Sequence, residues 1–370
     1  MTSKRRKNAK AAGKGKGVFF GITSRLLMSI VAALLIVSYI SIIVNPAKIW
    51  VISLSGLFFV PLALANLILL LWAIKRRSRS ALIPLLTLAP CFFFLGRYVQ
   101  FSSKEDYQPK DPTLKMVSYN VGRFALSDKE AGIEGRNQCA DSVFAFLKTQ
   151  DADIICLQEF YLKDLQKLKS YLSARMKGYR VEYYMFPGRN GAFGNVTLSR
   201  LPVTGKGKVK FEESANLAIY TDHRVGDRRF RVYNCHFESY NISFTGMVKG
   251  LMNADKDVFA QTGTKMKRSI LRRPKQVDQV FSDIESCPVE AFVCGDFNDN
   301  PMSYTYYRMT RGRKDAFVEA GAGFGATYAR LWPMLRIDYV MVPDRFDALS
   351  CEIPKVGYSD HYPVVTTVEL

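Results

Sequence analysis

The sequence has few of the residues that most often bind transition metals or form redox centres. Only three histidines occur in 370 residues, and the seven cysteines include no C-x-x-C pair. The cysteines therefore indicate neither a zinc ribbon nor a dithiol redox site. Cys156, Cys235 and Cys294 each lie within a strand-like run, and we expect all three to point into a core.

Acidic residues are nearly absent from the first 110 positions, which contain 16 Lys/Arg but only Glu105 and Asp106. This segment carries +14 of the total charge of +19, which leaves +5 for the remaining 260 residues. The basicity of the chain is therefore a property of its N-terminal part. The near-neutral remainder argues against a nucleic-acid-binding surface on grounds of charge alone.

Charges are also absent from two long apolar runs. Residues 26–44 contain 19 uncharged positions, and residues 49–74 contain 26 more. Because roughly 20 apolar residues cross a bilayer core, each run predicts a transmembrane helix. A third run begins at residue 81 and extends to about 101; it contains Pro84 and Pro90. This run is a third predicted span, with a re-entrant or interfacial segment as the alternative.

The flanking charges predict the orientation of these spans. The segment 1–17 is basic, and so is "KRRSR" at 75–79, whereas "NPAK" between the first two spans has one lysine. The positive-inside rule places both basic segments in the cytoplasm. Three spans within 18–101 then put the rest of the chain outside the cytoplasm. The expected location is an integral membrane protein, in the inner membrane if the source is a bacterium.

A polar linker at 102–113 separates this membrane region from a domain at 114–370. Strand-like and helix-like runs alternate there, several strands follow one another directly, and no fixed-period repeat occurs. The pattern predicts one α/β domain of about 260 residues with at least two packed sheet layers.

Polar residues follow the apolar strands of this domain at the points where the strands end. Strand ends of a layered α/β domain converge on one edge, so we expect these side chains to share a cleft. Each has an alternative structural interpretation, such as a turn residue or a buried structural histidine. The set comprises Asn120, Glu159, His236, Asp296, Asn298, Asp338, Asp360 and His361.

Several acids in one cleft repel one another unless a cation lies between them. A hard divalent cation with oxygen ligands relieves that repulsion, and histidines donate protons near neutral pH. The combination predicts metal-assisted hydrolysis of a phosphoester.

The ordered segments "SYNVG", "ICLQEF", "YNCHFES", "VCGDFND", "RIDYVMV" and "YSDHYPV" resemble the endonuclease/exonuclease/phosphatase (DNase I-like) superfamily over about residues 114–370. This resemblance implies a four-layer α-β-β-α sandwich, in which two β-sheets pack face to face between outer helices. It also implies a Mg²⁺-dependent phosphoric ester hydrolase, with Mn²⁺ as an alternative cation.

The resemblance further implies a role for each site residue. Asn120, Glu159 and Asp360 would form the metal environment, with Glu159 as the principal ligand. Asp296 would orient or deprotonate the attacking water, and Asn298 would hold a phosphate oxygen. His361, oriented by Asp338, would contact the scissile phosphate, and His236 would bind phosphate or assist the leaving group.

The substrate stays open between a nucleic acid, a phospholipid head group and a small phosphoester, and the lipid bilayer is an expected partner; no protein partner is inferred. The segment 265–275 has six Lys/Arg in 11 residues, but the domain lacks a wider basic face. The segment 241–252 is the best sequence candidate for a lipid-contacting loop. A catalytically inactive binding module on the same scaffold is the alternative hypothesis.

Overall fold

The computed structural model describes residues 22–101, 109–125, 132–212, 214–240 and 256–370. The basic segment 1–17 and the candidate lipid-contacting segment 241–252 lie outside the described residues.

The N-terminal part forms a bundle of apolar helices. Among the helices of the described residues, only α1 is by itself long and apolar enough to cross a membrane, and α2 with α3 form a second candidate if they count as one bent span. Asn66 in α3 is fully buried; its Nδ2 donates to Val31 O in α1 at 3.2 Å, and its Oδ1 accepts from Thr87 in α4 at 3.4 Å. The helices are α1 (Ile22–Ile40), α2 (Trp50–Leu57), α3 (Phe59–Lys75), α4 (Leu82–Leu88) and α5 (Cys91–Leu95).

The expected helix at 49–74 is not continuous, because α2 and α3 meet at a bend of 62°. The amide of Asn300, far along the chain, donates to Gly56 O at 2.9 Å and to Leu57 O at 3.3 Å, where the helix breaks. The expected span at 81–101 is also shorter than predicted. It consists of α4 and α5, interrupted at Pro90, and is followed by a short strand at 99–100.

The C-terminal part contains two six-stranded sheets. The first sheet has the order β13-β14-β2-β3-β5-β4 and the second has the order β10-β12-β9-β8-β7-β6. The pairs β2–β3 and β8–β9 are parallel, and the other pairs are antiparallel. The strands are β1 (Val99–Gln100), β2 (Thr113–Asn120), β3 (Ile154–Leu162), β4 (Arg180–Gly188), β5 (Gly191–Ser199), β6 (Val203–Lys210), β7 (Leu217–Val225), β8 (Arg228–His236), β9 (Glu290–Asp296), β10 (Arg313–Asp315), β11 (Gly323–Phe324), β12 (Asp338–Pro343), β13 (Asp347–Glu352) and β14 (Val364–Glu369).

Three apolar layers hold the sheets and helices together. Side chains alternate along each strand, so β2 directs Met116 toward the second sheet and Val117 toward the helices that cover the first. A further layer lies between the second sheet and the long helix α8. The remaining helices are α6 (Gly132–Gln150), α7 (Leu168–Arg175), α8 (Lys256–Glu285), α9 (Tyr304–Met309) and α10 (Ala316–Ala320).

This arrangement is an α-β-β-α sandwich, as the resemblance implied. Cys156 and Cys294 are fully buried in the layer between the sheets, and Cys235 is fully buried under α8, which confirms the prediction that all three point into a core.

The bundle contacts the sandwich through the loop that follows β9. Besides the Asn300 contacts, Arg97 donates to Pro301 O at 2.8 Å and Ser41 Oγ donates to Met302 O at 2.9 Å. Met302 is fully buried in an apolar cluster with α1 and α3 residues. Because β9 also carries Asp296, the bundle holds a loop that begins at the predicted site.

Candidate active site

The residues predicted at strand ends meet at one edge of the two sheets. Asp296 ends β9 and is the cross-strand partner of both His236 at the end of β8 and Asp338 at the start of β12. Asn120 ends β2 in the other sheet, and its Nδ2 donates to Asp296 Oδ2 at 2.9 Å. The packing of the sheets thus joins residues that are 176 positions apart in sequence.

The deepest part of the cleft, here called the floor, consists of Asp296, Asp338 and His361. Their side chains are 1%, 1% and 8% exposed. His361 Nδ1 lies 2.9 Å from Asp338 Oδ2, and His361 Nε2 lies 3.9 Å from Asp296 Oδ2. The hydrogen bond to Asp338 fixes the orientation of the imidazole and leaves Nε2 directed toward Asp296.

The floor combines two shifted pKa values. Burial, reinforced by the neighbouring Asp338 carboxylate, raises the pKa of Asp296 to about 6. Burial alone would lower the pKa of His361, but Asp338 and Asp296 outweigh it and raise that pKa to about 10. Near neutral pH the floor therefore pairs a carboxylate that can accept a proton with an imidazolium that can donate one.

Asn298 fixes the orientation of Asp296. Its backbone N–H donates to Asp296 Oδ1 at 2.8 Å, and its amide Nδ2 donates to Asp296 Oδ2 at 3.1 Å and to Phe237 O at 2.9 Å. Both amide hydrogens are thereby engaged. The structure thus favours Asn298 as a residue that positions Asp296 over the expected role of holding a phosphate oxygen.

Four charged residues, here called the rim, surround the floor. Arg123 Nε lies 3.2 Å from Glu159 Oε2, and Arg330 Nε lies 3.8 Å from Asp360 Oδ2. The guanidinium of Arg123 also lies 4.2 Å from the centre of the Phe193 ring. The rim thus consists of two acid–arginine pairs, and both arginines are close to half exposed.

A bulge in β3 directs Glu159 into the cleft. The pairing of β3 with β5 shifts register between Leu157 and Phe160, and Glu159 has a φ of 49°. A non-glycine residue in this region carries backbone strain, which concentrates at functional sites. Bulges of this kind re-aim a side chain, so the local distortion has a direct effect on the position of this carboxylate.

His236 completes the cleft between floor and rim. Its Nε2 lies 3.7 Å from Glu159 Oε1 and 3.7 Å from Asp296 Oδ2, and it is buried without a hydrogen-bond partner among the described residues. A buried polar atom without a partner is costly. The ring is therefore oriented toward a group that would lie between these two carboxylates.

The rim fits a hard divalent cation. Although burial opposes it, the electrostatic influence of the neighbouring His236 and Arg123 lowers the pKa of Glu159, so this carboxylate is ionised at neutral pH. Asn120 also contributes to the lowered pKa of Glu159, and a Cβ built on Gly122 would lie 3.1 Å from Asp360 Oδ1. Carboxylate and amide oxygens from these residues form the ligand set that Mg²⁺ prefers.

The tightest group of potential ligands is a different one. Ligand atoms of Asp296, Asp338 and His361 lie within 4.8 Å of one another. His361 Nδ1, however, is already hydrogen-bonded to Asp338 Oδ2 at 2.9 Å, and Asp296 is already held by the amides of Asn120 and Asn298. We therefore favour Asn120, Glu159 and Asp360 over the floor as the metal ligands.

All eight residues predicted from the sequence lie in or beside this cleft, and their chemical roles stay predictions. Sequence reasoning missed Arg123, Arg330 and Tyr328, whose ring centre lies 5.3 Å from that of His361. The only sequence signal for Arg123 is its place directly after "SYNVG", one of the segments that carried the resemblance.

The comparisons with known proteins agree with this geometry. The family model described as "Endonuclease/Exonuclease/phosphatase family" matches residues 117–361, which is more than half of the chain. A second model, a domain of unknown function named DUF8431, matches residues 19–98. No curated protein matches the chain.

Solved structures with the same fold share little sequence with this chain. An endonuclease/exonuclease/phosphatase from Bacteroides vulgatus is 19% identical with a TM-score of 0.52, covering 70% of this chain and 99% of its own. A family protein from Bacteroides thetaiotaomicron is 16% identical with a TM-score of 0.51, covering 71% and 98%. At this identity the likeness shows the fold alone. The family model shows more: the chain belongs to the endonuclease/exonuclease/phosphatase family.

Proposed function

We propose that the chain is a membrane-anchored, divalent-metal-dependent phosphoesterase with its active site outside the cytoplasm. Family membership supports phosphoester hydrolysis. The observation that carries the mechanism is the geometry of the floor, where His361 Nε2 lies 3.9 Å from the buried Asp296 carboxylate and His361 Nδ1 lies 2.9 Å from Asp338 Oδ2.

Each cleft residue has one task in this mechanism. Asn120, Glu159 and Asp360 would hold Mg²⁺ or Mn²⁺, which when bound supplies neutralisation of phosphate charge. Asp296, oriented by Asn298, accepts the proton of the attacking water.

The two histidines act on the phosphate. His361 donates from Nε2 to a phosphoryl oxygen as negative charge develops there, and Asp338 keeps the imidazolium charged and oriented. His236, whose Nε2 has no partner among the described residues, donates to the phosphate or to the leaving oxygen.

The membrane orientation is supported by the two ends of the bundle. The basic residues Lys75, Arg76 and Arg77 lie at the C-terminal end of α3. The sandwich contacts the bundle instead near Ser41, at the end of α1, and near Gly56, at the approach to α3. Because basic ends stay in the cytoplasm, the sandwich lies on the other side.

Hydrolysis of bis-p-nitrophenyl phosphate by the full chain tests the catalytic proposal. We expect turnover with Mg²⁺ and none in excess chelator, with recovery when Mg²⁺ is restored. Full activity in excess chelator would contradict the metal mechanism.

A fusion of alkaline phosphatase after Lys110 tests the orientation. We expect this fusion to be active, and a fluorescent protein that folds only in the cytoplasm to be dark at the same position. The reverse pattern would place the active site inside the cell.

A further inference from the structure

The sandwich exposes large apolar side chains in one segment only. Among the described residues from 109 onward, such exposure occurs only between positions 307 and 334. Scattered single apolar residues are ordinary on a protein surface, but their concentration in one segment marks a contact site. The exposed residues are Tyr307, Val318, Phe324, Trp332 and Met334.

This segment lies against the chain as it leaves the bundle. Phe324 in β11 pairs with Val99 in β1, four residues after the end of α5. The side chain of Gln100 donates to Val318 O at 2.9 Å. Val318 and Phe324, two of the exposed apolar residues, therefore adjoin the end of the bundle.

The same segment reaches the active site. Ala329 N donates to Asp360 O at 2.9 Å, and the neighbouring Arg330 and Tyr328 contact Asp360 and His361. The segment 323–334, here called the interface loop, then folds back, so that the Trp332 and Phe324 ring centres are 5.5 Å apart. One loop thus forms one wall of the catalytic cleft and presents an exposed aromatic tip beside the bundle.

The loop that follows β9, which carries Asn298, also lies close to the bundle. Asn298 precedes Asn300 by two residues, and a chain spans at most about 3.5 Å per residue. The Cα atoms of these asparagines are therefore at most about 7 Å apart, and Asn300 contacts Gly56 and Leu57 directly. The polar headgroup layer on each side of a bilayer core is roughly 5 to 8 Å thick. The cleft thus lies near headgroup depth.

We propose that the interface loop enters the membrane surface through Phe324, Trp332 and Met334, and that the substrate is a phosphoester carried by a lipid of that membrane. This inference rests on the proposed function. Tryptophan is enriched at membrane–water interfaces, where one end of its side chain contacts apolar groups and the other end contacts water. Lys355 Nζ lies 4.1 Å from the Trp332 ring centre and adds a positive charge beside the loop, where lipid phosphates would lie.

Two chromogenic diesters test the substrate class on the full chain reconstituted in phosphatidylcholine vesicles. Methyl p-nitrophenyl phosphate and hexadecyl p-nitrophenyl phosphate share the reacting group and the leaving group, and only the second partitions into the bilayer. We expect kcat/KM for the hexadecyl ester to exceed that for the methyl ester by at least tenfold. The double variant Trp332→Ser/Met334→Ser should lose this advantage while its rate with the methyl ester stays unchanged.

The outcomes separate the two proposals. Equal rates with both esters, or an equal loss with both in the variant, would overturn the lipid assignment and leave the phosphoesterase intact. Hydrolysis of neither ester would overturn both. A preference for single-stranded or duplex DNA over the hexadecyl ester would replace the lipid substrate with a nucleic acid.

Fluorescence tests the loop independently of catalysis. The chain has three tryptophans, so Trp50→Phe/Trp72→Phe leaves Trp332 as the sole emitter. We expect lipids brominated on the acyl chain to quench Trp332 and aqueous iodide to quench it weakly. The matched control combines Trp332→Phe with Lys206→Trp in the same background, which places the single tryptophan on β6, at the edge of the second sheet opposite β10. That control should show the reverse pattern, and the same reverse pattern for Trp332 would overturn the proposal.

Discussion

The floor and the rim of the cleft contain the same kinds of side chain in opposite surroundings. The floor carboxylates Asp296 and Asp338 are each 1% exposed, whereas Glu159 and Asp360 on the rim are 26% and 33% exposed. Floor residues bond to one another, whereas each rim carboxylate is paired with an arginine side chain that is close to half exposed. Burial therefore fixes the geometry of the floor, and exposure keeps the rim accessible.

Because the floor is buried and the rim is exposed, we expect substitutions in the two regions to change different kinetic parameters. A group that is already oriented before substrate arrives acts mainly on the transition state, so floor variants should lower kcat. A group that exchanges its partner for a cation or a phosphate acts on affinity, so rim variants should change metal or substrate binding.

The largest effect should follow from Glu159→Gln on the rim. The amide keeps the size of the side chain but removes its charge, so Mg²⁺ affinity and activity should fall together, with kcat/KM lowered by about 10⁴-fold. Calorimetric Mg²⁺ titration and steady-state rates measure the two effects. Unchanged Mg²⁺ affinity in this variant would place the cation elsewhere, and the group of three floor residues would be the next candidate.

Asp338→Asn should lower kcat by about 10³-fold with Mg²⁺ affinity unchanged. The amide keeps a polar partner for His361 Nδ1 but no longer stabilises the imidazolium. The same Asp-to-Asn change beside the histidine of a Ser-His-Asp triad lowers kcat by about 10⁴-fold. NMR titration of His361 should show its pKa falling from about 10 toward its ordinary value. If Asp338→Asn lowered Mg²⁺ affinity as much as it lowered the rate, floor and rim residues would not differ in their roles.

His223 is a control for the floor, because it is as buried as His361 but has no hydrogen-bonded carboxylate. Its ring nitrogens face Thr221 Oγ1 at 2.8 Å and Ser199 Oγ at 3.5 Å, and burial lowers its pKa to about 4. The folded state thus binds the proton less readily than the unfolded state does. The free energy of unfolding therefore has its full value, as far as His223 is concerned, above pH 6.5. It falls by about 3 kcal/mol as the pH decreases from 6.5 to about 4.

The variant His223→Gln should therefore show a flatter decline in unfolding free energy between pH 6.5 and 4 than the parent chain. Denaturant unfolding at several pH values measures the difference. Parallel curves would mean that His223 does not contribute to the pH dependence.

The smallest effect should follow from Arg123→Ala on the rim. The guanidinium is 47% exposed, so its contact with a substrate phosphate is partly screened, and KM should rise about tenfold with little change in kcat. Arg123→Lys, which keeps the charge but loses the contact with the Phe193 ring, should recover part of this loss. A drop in kcat without a change in KM would contradict this, because it would mean that Arg123 acts on the transition state, as the floor residues do.

The positions of the site residues were predictable because the pattern of buried strands is local. Runs such as "FVCGDFND" show where an apolar strand ends, and strand ends of packed sheets converge. The bend between α2 and α3 was not predictable, since the sequence is apolar on both sides of it. The bend coincides with a contact to Asn300, which lies 244 residues after Gly56.

The rim arginines were missed for a related reason. Arg123 and Arg330 lie in polar loops, where an arginine most often faces solvent, and only the folded arrangement places them at Glu159 and Asp360. The apolar interface loop was also missed, because "LWPML" is too short to stand out as an apolar run. The position of this loop beside the bundle becomes visible only in the structure, where β11 pairs with the residues that follow α5.

The contact between Asn300 and the break after α2 also sets an order of assembly. The ribosome makes the bundle first, and Asn300 follows Gly56 by 244 residues, which takes roughly 10 to 50 seconds of synthesis. The bundle helices have therefore already been synthesised when the loop after β9 emerges. The last steps in folding the sandwich then occur against a bundle that is already complete, and a sandwich released without its bundle would have to form this loop with no such support.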